Sequence, residues 1–133
     1  MVAWNDSITT TDMIDNLPPG LDRAVLRVIG FHTGIDSAIS RGDLVGEVAR
    51  MGFKVHERVI RLTINQLRKR GHLICSTGGS GGGYFMPANW EELQEYLDRE
   101  VHSRAMDLLE QEKALRESAE RKWGAYANQG RLF

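Results

Sequence analysis

The stretch KVHERVIRLTINQLRKRGHLICSTGGSGGGYFM, residues 54–86, is compatible with few architectures. Ile60, Ile64 and Leu67 recur at spacings of four and three, which predicts a helix over about 55–70 with one apolar face. Arg58, Arg61, Asn65 and Arg68 fall mainly away from that face. Gly71 suits the left-handed position that ends helices, where a missing Cβ removes the steric penalty. Residues 72–76 are short and apolar enough for a strand. Tyr84, Phe85 and Met86 form its natural antiparallel partner across the tip Thr77-Gly78-Gly79-Ser80-Gly81-Gly82-Gly83.

Upstream, residues 1–20 read as a polar extension that ends in Leu17-Pro18-Pro19-Gly20. No helix crosses that break easily, because proline lacks the amide hydrogen and restricts its predecessor. At most a short helical turn near 12–16 precedes it. Leu21, Val25 and Ile29, with Leu26 and Val28, predict a first core helix ending near 30–34, and Asp22 lies where the helix dipole favours an anion. Ser40 stands three residues before Asp43, as in a capping box, and Leu44, Val45, Val48 and Ala49 outline a short second helix stopping at Gly52.

Downstream, Pro87 closes the hairpin, and Asn89 followed by Glu92 marks another helix start. Residues 90–123 contain no proline or glycine, so one long C-terminal helix is predicted there, followed by a flexible tail over 124–133. Trp90, Leu93, Tyr96, Leu97 and Val101 are expected to pack on the core, with Leu108, Leu109 and Leu115 continuing a weaker stripe.

With 133 residues and 41% hydrophobic content, the chain has room for one core plus extensions, so a single domain over 21–89 is expected. No apolar run approaches the roughly 18 residues that span a bilayer, and the N-terminus lacks the order of a signal peptide. A cytoplasmic protein without membrane contact is expected. The lone Cys75 cannot form an internal disulfide and reads as a small buried hydrophobe. His72 and Cys75 resemble half a metal site, but neither His32 nor His102 brings a second pair at ligand spacing, so no metal is expected. The glycine-rich tip lacks the Lys-Ser/Thr of a phosphate-binding loop, and no nucleophile motif is present. Neither enzymatic activity, cofactor nor small-molecule ligand is therefore expected.

The net charge of −1 conceals an asymmetry. Residues 1–40 carry two basic and five acidic groups, residues 41–72 eight basic and three acidic, and residues 90–123 six basic and ten acidic. Positive charge gathers around the predicted third helix, and local potential decides whether a polyanion is attracted.

Helix, short helix, basic helix and two-stranded flap, over about 21–86, resemble the winged helix-turn-helix superfamily. Ile39-Ser40, Leu44, Arg58, Ile60, Ile64, Leu67-Arg68, Gly71, Ile74 and Gly83-Tyr84 are similar to small bacterial and bacteriophage members. The resemblance implies an α+β, mostly helical fold: a three-helix core with a β-hairpin wing, plus the long C-terminal helix. It also implies sequence-specific binding of double-stranded DNA, with the third helix entering the major groove by its N-terminal half, and a role in transcription regulation. Carried onto this chain, the candidate contacts are Lys54, His56, Glu57, Arg58, Arg61, Leu62 and Asn65. Arg and Asn are chemically apt, since Arg bonds two acceptors on guanine and Asn a donor and acceptor on adenine. Val59 and Leu62 either touch a thymine methyl or are buried. The tip departs from the family pattern because it carries no charge, which leaves backbone amides and the Thr77 and Ser80 hydroxyls to meet a phosphate.

Two further readings stay open. The basic face is also what an ordinary solvated helix presents, and the fold also serves as a scaffold for a protein-interaction adaptor in a replication or packaging complex. A homodimer through the C-terminal helix is expected from the two-fold sites such proteins read. Leu97, Val101, Arg104, Leu108, Gln111, Leu115 and Ser118 follow heptad spacing, although three polar members make a poor zipper.

Overall fold

The computed structural model describes residues 17–78 and 82–124. The expected turn near 12–16, Ser80 and the tail beyond 124 lie outside the described residues. The chain divides into two compact units between Leu93 and Gln94. The architecture is α+β and mostly helical, with a small three-stranded antiparallel sheet.

In the first unit, helix α1 spans Leu21–Gly30. A 3-10 turn at Ile35–Ser37 leads to strand β1, Ile39–Ser40, and directly into helix α2, Arg41–Arg50. Helix α3 spans Glu57–Lys69, and the hairpin consists of β2, Cys75–Ser76, and β3, Gly83–Phe85. The predicted stops and caps form. Ser40 Oγ accepts from the Asp43 amide at 3.1 Å, and Gly71 takes φ 94° after α3. Helix α4, Trp90–Tyr96, opens with a reciprocal cap: Asn89 Oδ1 accepts from the Glu92 amide at 2.8 Å, and Glu92 Oε1 accepts from the Ala88 amide at 3.2 Å.

The core is shared among all three helices and the sheet. Leu21, Val25 and Ile29 from α1, Leu44 and Val48 from α2, and Ile60, Ile64 and Leu67 from α3 meet Ile74 and Tyr84. Burying each such aliphatic side chain stabilises the fold by about 1.5–3 kcal/mol. Thr63 is buried too, and its hydroxyl donates to the Val59 carbonyl at 2.9 Å, so no polar group is stranded there.

Strand β1 was not legible locally. Ile39 pairs with Tyr84 and Ser40 with Gly83, while Cys75 pairs with Phe85 and Ser76 with Tyr84. The sheet order is therefore β1-β3-β2, with β3 in the middle. This centrality makes glycine obligatory at 83, where a Cβ would lie 2.0 Å from the Ile39 carbonyl oxygen.

Trp90, expected to pack on the core, is instead 66% exposed, while Leu93 is half-buried. Residues Leu97–His102 wind as a π-helix before helix α5, Ser103–Trp123. Its i to i+5 bonding widens the turn, so spacings counted for an α-helix no longer stack on one face. The Ser103 hydroxyl follows the wider spacing, donating to the Asp98 carbonyl at 3.1 Å. No described helix is long and apolar enough to cross a membrane.

Candidate nucleic-acid interface

Helix α3 owes its orientation to five buried residues, Val59, Ile60, Thr63, Ile64 and Leu67, which seat one side of the helix in the core. The same periodicity turns Arg58, Arg61 and Asn65 to solvent. Val59 is only 1% exposed and belongs to the core, which removes it as a base contact. Leu62 is half-buried and packs against the core as well, leaving only part of its side chain outside.

His56 begins α3 as its N-cap. Its Nδ1 accepts from the Arg58 amide at 3.1 Å, which leaves the ring proton on Nε2 and an outward donor. Glu57 lies in the first turn and reaches Arg61, with Oε1 and Nε 4.0 Å apart. With the Arg61 and Glu57 side chains 56% and 44% exposed, this pair is screened by water and contributes at most about 1 kcal/mol. Arg61 is thus free to exchange a carboxylate for a phosphate. Lys54, in the turn between α2 and α3, is exposed, and neither it nor Arg58 forms an ion pair among the described residues.

The later cations of α3 have structural work. Arg68 Nε donates to the Ile74 carbonyl at 2.8 Å, and its guanidinium lies 6.0 Å from the Tyr84 ring centroid, tying helix to sheet. Arg70 pairs with Asp22 of α1 at 3.2 Å. Asp22 also accepts from the Arg23 amide at 2.8 Å, and these bonds hold its carboxyl below the usual aspartate range, the backbone bond being the larger cause. Cys75 is fully buried in the sheet, and burial pushes its thiol up to about 11.

At the hairpin, Thr77 closes the turn. Its Oγ1 accepts from the Gly83 amide at 2.9 Å, and its own amide donates to the Gly83 carbonyl at 2.9 Å. The hydroxyl proton has no acceptor among the described residues. Arg41 is the residue that sequence reasoning passed over. A Cβ built on Gly82 would sit 3.1 Å from both Nη atoms of Arg41, so this guanidinium rests on the root of the hairpin. The tip itself is uncharged, but a cation from the first position of α2 lies at its base. No local signal marks Arg41, because its position depends on β1 pairing with β3.

A broad concavity lies elsewhere. This groove of about 490 Å³ between α1 and α2 is lined by Val28, Phe31 and Met51 together with Asp36, Asp43, Glu47 and Arg27. Three carboxylates against one guanidinium make it a poor seat for a polyanion. Comparison with protein-family models, curated proteins and solved structures finds no match to this chain.

Proposed function

We propose that residues 21–89 form a winged helix-turn-helix that binds double-stranded DNA, with the N-terminal half of α3 in the major groove. The observation that carries this reading is the solvent-facing row Arg58, Arg61 and Asn65 on a helix whose other side is locked into the core. A helix about 10–12 Å across fits a groove about 12 Å wide. The order α1, β1, α2, α3, β2, β3, with β1 joined to the hairpin, supports the same reading. Arg58 and Asn65 read base edges, Lys54 and Arg61 neutralise phosphates, and His56 donates from Nε2. Arg41 adds positive charge where the hairpin meets the backbone of the duplex.

Titration of a labelled duplex at several salt concentrations tests this. Neutralisation of about five phosphates by Lys54, Arg61, Arg41 and neighbouring cations gives a log–log slope of affinity against salt of about −4 to −5. Loss of binding in Arg58→Ala/Arg61→Ala with an unchanged circular dichroism spectrum is the expected result. Absence of binding at low salt, or binding indifferent to that double substitution, refutes the proposal.

A further inference from the structure

The second unit presents an uncovered apolar surface. Helix α5 has no buried residue, and Leu108, Leu109, Leu115 and Trp123, which share one side of it, are between 56% and 70% exposed. Single exposed apolar residues are ordinary, but a row of them along one helix marks a contact surface. Because the π-wound segment ends at His102, the register of this row has to be counted from Ser103 onward.

Counted that way, Ala105, Leu109, Glu112, Arg116, Ala119 and Trp123 alternate at spacings of four and three, with Leu108 and Leu115 on the flank. Two features decide what this seam fits. Residues 103–112 carry one base and three acids, whereas residues 113–123 carry four bases and two acids. The seam is also complementary to its own reverse. In an antiparallel copy, Ala105 meets Trp123, Leu109 meets Ala119, and Glu112 meets Arg116, so every layer joins small to large or acid to base. A parallel copy would instead set Glu112 against Glu112 and Arg116 against Arg116.

We propose that α5 is a self-association helix whose partner is a second copy of this chain, packed antiparallel about a two-fold axis level with Ala114. A two-fold interface of this kind is self-complementary, each contact occurring twice. Opposed helix dipoles and the opposite charge of the two halves favour the same direction. Within one helix, Arg116 Nε already lies 3.6 Å from Glu112 Oε1. Pairing therefore brings four charges into one network, and a polar layer of this sort sets register. Such pairing does not depend on DNA binding by α3.

Sedimentation velocity of the full chain at rising concentration provides the test. The wild-type chain is expected to show a monomer–dimer equilibrium. Glu112→Arg and Arg116→Glu are each expected to weaken it about tenfold by replacing two attractions with two repulsions. An equimolar mixture of the two variants is expected to regain wild-type association. In that mixture one chain carries only bases at positions 112 and 116 and the other only acids, so both facing pairs attract again. Each chain in the mixture still lacks its own intrahelical bridge, so mending that bridge does not explain recovery. A wild-type chain that stays monomeric, single variants that associate as the wild type does, or a mixture no more dimeric than its components overturns the proposal.

Discussion

Individual residues carry sharply unequal weight. Gly83 tolerates no side chain, because its Cβ would enter the Ile39 carbonyl across the central strand. Gly83→Ala is expected to cost about 3 kcal/mol, read as a lowered urea midpoint at unchanged slope. Asp22 supplies a pH dependence of definite sign. Its carboxyl titrates lower in the folded chain than in the unfolded one, so its contribution is complete above the usual value of about 3.9 and fades as pH falls through the folded value. Asp22→Asn should therefore lose stability at neutral pH and converge with the wild type in acid, as thermal melts across pH will show. Cys75 behaves as core. Its thiol, neutral and enclosed, should resist alkylation at pH 8 until denaturant is added, a difference measurable by mass spectrometry.

At the level of elements, the joint between β1 and α2 does two jobs with one residue. Ser40 pairs with Gly83 through its backbone and caps α2 through its hydroxyl. Ser40→Ala retains the pairing and removes the cap, so a loss of about 1 kcal/mol is expected in chemical denaturation. Helix α3 is capped by an imidazole instead, which couples the first turn of the proposed reading helix to the ring of His56. The π-wound segment between α4 and α5 acts at the same scale. By shifting the phase of the side chains, it separates the apolar residues before position 103 from those after it, so a heptad drawn straight through 97–118 is not one stripe.

For the molecule as a whole, a net charge near zero is compatible with anion binding because residues 41–72 carry eight basic groups against three acidic ones. If α3 reads duplex DNA, Lys54→Ala should weaken binding to all sequences alike and make the salt slope shallower by about one. Arg58→Ala should weaken the preferred sequence most, by about 1–3 kcal/mol, which competition titrations against a scrambled duplex resolve. The three core helices, the Ser40 and Asn89 caps, the stop at Gly71 and the hairpin could be read from the chain alone, because each follows from neighbours within a few residues. The same periodicity identified Arg58, Arg61 and Asn65 as outward-facing. Strand β1, the demand for glycine at 83, Arg41 at the hairpin root and the burial of Val59 could not be read so, since each depends on residues far away along the chain or on how closely two elements pack. Local pattern thus determined which segments are helix or hairpin and which face of α3 is polar. Only the folded chain decided which polar groups are already engaged and which remain for a partner, because engagement is a matter of distances between segments that the linear order does not contain.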